Sequence, residues 1–254
     1  MNYLVGDIGN TLIKISILNY KLAVIKSYNL NTNKIYIKKN INFFLEKCLN
    51  KKLSKKVLFS SVVPKAYIKI EKYLNERNFK TFEIKDLKIK KILKTNIKNF
   101  NQLGSDRIVN AIGAKKFKNC IIIDFGTATT FDILKNGNYD GGVIAPGIDL
   151  SIKNLNKFTA LLPLFNLKNK QNNYGKNTKE ALNAGFLWGY EGLVNNIINK
   201  IIIKSKKNYK IILTGGYAKL FSKFIKKKVM IDQNITIKGV ARIFKEFLLW
   251  AKKN

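Results

Sequence analysis

No histidine occurs anywhere in the 254 residues. That absence removes the commonest general base, the Ser–His–Asp triad and every histidine-based zinc site. Any proton transfer must use a carboxylate, lysine, tyrosine or cysteine. Cysteine is scarce too. Cys48 and Cys120 lie far apart in apolar surroundings and form no C-x-x-C pair, which fits two reduced, buried thiols better than a disulfide or metal site. No run approaches the roughly 20 continuous apolar residues that span a bilayer. The N-terminus lacks a positive start, and Asp7 and Lys14 interrupt its apolar stretch, so it does not read as a signal peptide. A cytoplasmic location and no membrane partner are expected. G-x-x-x-x-G-K-[ST] and G-x-G-x-x-G loops are also missing, which excludes a P-loop enzyme and an ordinary dinucleotide-binding protein.

Acidic residues are few, 15 against 48 basic ones, for a net charge of +33. Such a charge invites a nucleic-acid or anionic-membrane reading. The distribution argues against it. The lysines are spread along the chain among Asn and Ile and form no arm or block, and only Arg77, Arg107 and Arg242 are arginines. Solvated faces of an AT-biased coding sequence account for the pattern, with attraction of anionic substrates as a consequence. Scarcity also makes each acid beside glycine informative: Asp7, Asp106 and Asp124 all sit in compact polar motifs.

What is present reads as α/β. The length suits one large domain or two small ones, and 46% apolar content is enough for a core. Tyr3-Leu4-Val5 is a short apolar strand. Ile13, Ile15 and Ile17 alternate with polar residues as a half-buried strand does. Leu22 to Tyr28 is a third strand candidate. Ile37, Ile41, Phe44, Leu45 and Cys48 fall on one helical face. Val57-Leu58-Phe59 reads as a strand, Pro64 opens a helix, and Phe79 to Ile84 is a further strand candidate. The basic stretch from Lys85 to Lys98 reads as a surface loop or linker. Ser105 to Phe117 reads as helix.

Ile121-Ile122-Ile123 opens a second half that repeats the first: strand, Asp, apolar residue, Gly, then a hydroxyl or amide. Tyr139 to Ala145 and Ile211-Ile212-Leu213 read as strands. Two long helical patterns run through Phe186, Tyr190 and Ile197, and through Val240, Phe244 and Leu248. The repeat predicts two related subdomains, 1–117 and 118–254, facing one another.

Three motifs carry candidate chemistry. In Asp7-Ile8-Gly9-Asn10-Thr11 and Asp124-Phe125-Gly126-Thr127, glycine lets backbone N–H groups approach a phosphate, and the side chains of Asn10, Thr11, Thr127 and Thr129 add donors. A carboxylate beside a phosphate requires a cation between them, so Asp7 and Asp124 read as ligands or supports of metal ions, with Mg²⁺ usual for nucleotides. One copy alone would be only a tight turn. Two copies, each after an apolar strand, favour phosphate binding. In Gly104-Ser105-Asp106-Arg107, a carboxylate able to accept a hydroxyl proton stands beside a guanidinium able to hold an anion. By spacing alone, an ordinary capped helix start explains this segment better. Thr214-Gly215-Gly216 suits a backbone packed against a nucleotide or a plain strand-to-helix turn.

In order and spacing, these segments resemble type III pantothenate kinases, of the acetate and sugar kinase/Hsp70/actin superfamily. Gly141 to Gly147, Thr159-Ala160-Leu161-Leu162-Pro163 and Gly175-Lys176-Asn177-Thr178 extend the resemblance. It implies two ribonuclease H-like subdomains with an active-site cleft between them. It implies phosphorylation of pantothenate by ATP, the first step of coenzyme A synthesis, in a homodimer. Asp7, Ile8, Gly9, Asn10, Thr11, Leu12, Ile13 and Lys14 would form the first phosphate loop, and Thr127 would contact ATP. Gly104, Ser105, Asp106 and Arg107 would hold pantothenate, with Asp106 as general base and Thr178 reaching it across the dimer interface. Asp124 would bind a monovalent cation, K⁺ or NH₄⁺, beside Mg²⁺ carried with ATP. The sequence departs from the family at Ile97, where a Tyr that lines the substrate pocket is usual, and at Phe100, where Pro is usual; Asn99 is kept. A catalytically inactive relative acting as an accessory regulator is the alternative, as is a nucleic-acid-binding protein. All three motif aspartates are present.

Overall fold

The computed structural model describes residues 1–49, 53–170 and 173–249. The chain divides into two compact units. The first comprises Met1–Lys116, Gly137–Asp140 and the C-terminal stretch from Asn234; the second comprises Phe117–Asn136 and Gly141–Gln233.

In the first unit, β1 (Asn2–Ile8), β2 (Leu12–Leu18), β3 (Val24–Asn31), β4 (Leu53–Ser61) and β5 (Lys80–Glu83) form one sheet in the order β3-β2-β1-β4-β5. The first three strands form an antiparallel meander; β4 and β5 add in parallel on the other side of β1. Parallel additions need crossovers. Helices α1 (Lys38–Cys48) and α2 (Pro64–Asn75) supply them. Their inward residues Phe44, Leu45, Ile70 and Leu74 pack on Leu4, Ile15, Val57 and Phe59 of the sheet. Pro64 stands at the start of α2, where its missing N–H costs nothing.

The second sheet comprises β6 (Cys120–Phe125), β7 (Ala128–Lys135), β8 (Asn138–Pro146, in the second unit from Gly141 on), β9 (Lys210–Gly215) and β10 (Val229–Ile231), in the order β10-β9-β6-β7-β8. β6 and β7 are antiparallel, whereas β9 and β10 continue in parallel. This is the arrangement of the first sheet repeated strand for strand. The register repeats as well. Asp7 lies opposite Lys14 on its hairpin and Ser60 on the parallel strand; Asp124 lies opposite Thr130 and Thr214. The short sequence echo is therefore the visible trace of a duplicated fold. Helix α4 (Ile148–Phe158), the long α5 (Thr178–Ser205) and the short α6 (Ala218–Phe221) complete this unit, with Ile148, Leu187, Val194 and Phe221 in its core.

Two stretches differ from the sequence expectation. Residues from Asn234 onward, assigned above to the second half, belong to the first unit. There α7 (Ile235–Phe244) lies against α3 (Ser105–Gly113). Gly239 meets the Val109 carbonyl so closely that a Cβ would sit 1.9 Å from it, and Thr236 Oγ1 donates to Asn110 Oδ1 at 2.8 Å. The basic stretch 85–98 is not a plain loop. Its 3₁₀ turns drop Ile89 and Leu93 into the core while the lysines between them stay outside.

Candidate active site

The first glycine loop joins β1 to β2. Gly9 N–H donates to the Leu12 carbonyl at 3.0 Å, which closes the turn and leaves Asn10, Thr11 and Leu12 exposed at its tip. Buried Thr32, just after β3, clasps this tip: its Oγ1 donates to the Gly9 carbonyl at 2.7 Å and its N–H to the Thr11 carbonyl at 3.0 Å. Lys14 Nζ donates to Oδ1 of Asn234, the residue that precedes α7, at 2.9 Å. The loop residues and Lys14 are thus brought together on one supported hairpin, with Ile8 and Ile13 buried as its anchors.

Asp106 sits in the first turn of α3, half-buried. Its Oδ1 accepts the Arg107 N–H at 2.8 Å. Burial pushes the Asp106 carboxyl above its ordinary value; the Arg107 N–H and guanidinium pull in the other direction and are outweighed. A carboxyl tuned toward neutrality is better matched to general-base work near pH 7 than an ordinary one. Ser105 does not cap its own helix: its hydroxyl donates to Glu83 Oε1 at 2.8 Å. Simple capping, the better reading by spacing, is therefore not the use this serine is put to.

In the second unit, the loop after β6 is one residue tighter, with Phe125 paired to Thr129 where Ile8 pairs with Ile13. Gly126 and Thr127 are exposed at its tip. Two later glycines pack against it. A Cβ on Gly147 would lie 1.9 Å from the Thr127 carbonyl, and one on Gly215 would lie 2.6 Å from Asp124 Oδ1. Gly215 also has φ +85°, a conformation that glycine adopts without strain. Tyr217, two residues on, hydrogen-bonds Asp149 in the first turn of α4. Thr178 stands exposed as the first residue of α5. Asn177 Oδ1 accepts the Glu180 N–H and Glu180 Oε2 accepts the Lys176 N–H, both at 3.0 Å, a reciprocal cap that fixes the motif.

Among the described residues, no group of three or more His, Cys, Asp or Glu side chains could hold a metal ion by itself. That fits Mg²⁺ entering with nucleotide phosphates, since this ion is ordinarily held by one or two carboxylates and the phosphates rather than by a protein cage. Asp124 is approached closely by two glycines: a Cβ on Gly215 or on Gly126 would lie 2.6 or 3.6 Å from its Oδ1.

The family model described as type III pantothenate kinase matches residues 3–200. The chain belongs to that family. A type III pantothenate kinase from Pelagibacter ubique is 45% identical over 241 residues, 94% of this chain and 97% of the relative. Another from a Sulfurihydrogenibium species is 38% identical over 205 residues, 79% and 81% of the two chains. Among solved structures, the activator of 2-hydroxyisocaproyl-CoA dehydratase from Clostridium difficile, with bound ADPNP, shares the fold at TM-score 0.59. It is 14% identical and covers 100% of this chain and 98% of that one.

Sequence reasoning missed four supports of the type III pantothenate kinase motifs: Thr32, Glu83, Tyr217 and Asn234. Glu83 alone left a usable signal, as one of few acids in a very basic chain.

Proposed function

We propose that the chain transfers the γ-phosphoryl group of ATP to the primary hydroxyl of pantothenate, the first step of coenzyme A synthesis. Membership of the family supports the reaction, and the observation that carries the mechanism is Asp106: a half-buried carboxylate in the first turn of α3, raised in pKa, beside Arg107 in a chain without histidine. Asp106 accepts the hydroxyl proton as the pantothenate oxygen bonds to the γ-phosphorus. The bond from that phosphorus to the bridging oxygen breaks, and ADP leaves. The transition state is loose, so the proton need move only late and positioning supplies most of the rate. Arg107 pairs with the pantothenate carboxylate. In the first unit, the backbone of residues 7–14 and Lys14 hold phosphates; in the second, Thr127 adds a donor. Mg²⁺, when bound with ATP, neutralises charge developing on the β- and γ-oxygens. Asp124 holds a monovalent cation in its glycine cradle.

The active form is a homodimer in which Thr178 reaches pantothenate across the interface. Exposed apolar side chains in the second unit support this: Phe158 is 74% and Leu161 89% exposed, with Leu164 and Trp188 exposed beside them in sequence or on α5. No helix among the described residues is long and apolar enough to cross a membrane. The cytoplasm, where ATP is abundant, is the compartment the reaction requires. An inactive relative is disfavoured because Asp7, Asp106 and Asp124 are all kept in supported positions.

The test is ADP release by the purified protein with ATP, Mg²⁺ and K⁺, with and without pantothenate. ADP that appears only with pantothenate bears the reading out. A folded protein releasing none would overturn it.

A further inference from the structure

Glu83 ends β5 and belongs to none of the motifs above. Its carboxylate nonetheless gathers three donors from three segments. Oε1 accepts Ser105 Oγ at 2.8 Å and the Ser61 N–H at 3.2 Å; Oε2 accepts the Lys85 N–H at 2.5 Å. Ser105 is fully buried and directly precedes Asp106. Ser61 closes β4 opposite Ile8 of the first phosphate loop, and the next residue, Val62, donates its N–H to the Ile8 carbonyl at 3.0 Å. One carboxylate therefore joins the helix start bearing the proposed base to the strand end beside the proposed phosphate loop.

We propose that Glu83 is a positioning residue for phosphoryl transfer: it clamps Ser105 to Ser61 and so sets where Asp106 stands relative to the attacking hydroxyl. The inference rests on the reading of Asp106 as the base. Glu83 already accepts three hydrogen bonds from the protein, a use that suits an anchor better than a base. Burial raises its pKa while the three donors favour the charged form, as expected for a carboxylate serving as an internal anchor. Charge-assisted bonds of this kind are stronger than neutral ones, and small misplacements of a reacting group are costly.

The experiment compares Glu83→Ala, Glu83→Gln and Ser105→Ala with the wild type, each as the full chain, measuring kcat, both KM values and the melting temperature. The wild type comes first: without pantothenate-dependent ADP from it, the underlying reading fails and this inference fails with it. Given an active wild type, Glu83→Ala should lower kcat about 10- to 100-fold with KM for ATP unchanged. Glu83→Gln keeps an acceptor oxygen for Ser105 and Ser61 and should recover most of that loss. Ser105→Ala should lower kcat less, and should cost little more when added to Glu83→Ala, because the two remove one shared bond. A folded Glu83→Ala enzyme with wild-type kcat overturns the proposal. Should that variant not fold, Ser105→Ala decides: lowered kcat at an unchanged melting temperature supports the clamp, and wild-type kcat overturns it.

Discussion

Gly104 makes the room that Asp106 occupies: a Cβ at residue 104 would stand 2.5 Å from Asp106 Oδ1. The backbone at Gly104 is extended, with φ −60° and ψ 143°, so alanine would suit the chain itself. The only atom in serious conflict is Asp106 Oδ1, which a rotation of that side chain would carry away at the cost of its bond from the Arg107 N–H. Gly104→Ala should therefore lower stability by no more than about 1.5 kcal/mol while displacing the proposed base. A kcat loss of roughly 10- to 100-fold is expected from such a misplacement. Parallel melting curves and steady-state kinetics check it; equal activity would show that the observed carboxylate position is irrelevant to catalysis.

Asp106→Asn separates charge from shape. The isosteric amide should lower kcat by about 10²- to 10⁴-fold if Asp106 is the base. It should not unfold the protein. Burial raises this carboxyl's folded pKa, so its contribution to stability is present below the unfolded pKa and lost as pH rises through the folded one. At neutral pH a neutral side chain therefore relieves a desolvated charge. The pH profile follows from the same shift. The base works only when ionised, so kcat/KM should rise with pH through a midpoint above the ordinary Asp value of about 3.9. A limb at or below that value would remove Asp106 from the role.

What was legible in the sequence was local. Asp7 and Asp124 each follow an apolar strand and precede a glycine turn within a few residues, and the register confirms the equivalence through Ser60 and Thr214. What was hidden was held by distant partners. Glu83 lies 22 residues from both Ser61 and Ser105 and gives no periodic signal toward either. The return of α7 to the first unit depends on Gly239 meeting Val109, a contact that neither segment announces. Helix α4 shows no clean pattern in the sequence, because Leu150, Leu155 and Phe158 are exposed and blur the apolar stripe that marks a one-sided helix.

Thr32→Val tests the clasp on the proposed first phosphate loop. Valine keeps the volume of this buried residue but cannot donate to the Gly9 carbonyl. Losing one such bond costs about 0.5–1.5 kcal/mol, felt by the loop conformation more than by the core. KM for ATP should rise about 2- to 10-fold by that measure, with kcat at saturating ATP little changed. A rise in KM for pantothenate with none for ATP would place the loop's role elsewhere.

The cation prediction concerns Asp124 and Gly215. If a monovalent ion sits in the cradle beside Asp124, its size must matter, and replacing K⁺ by Na⁺ should reduce activity at constant ionic strength. Asp124→Asn should lower activity and abolish the difference between the two ions, because the charge that holds either is gone. Gly215→Ala is the steric counterpart. Its Cβ would meet Asp124 Oδ1 and the Phe125 backbone at 2.6 Å, at a residue whose φ of +85° already disfavours alanine. Strain of that kind costs about 1–3 kcal/mol, so the melting temperature should fall as well. Kinetics in K⁺, NH₄⁺ and Na⁺ for the three proteins give a clear pattern. An ion preference that survives Asp124→Asn would move the cation away from this carboxylate and leave Asp124 as a support for the β6–β7 turn alone.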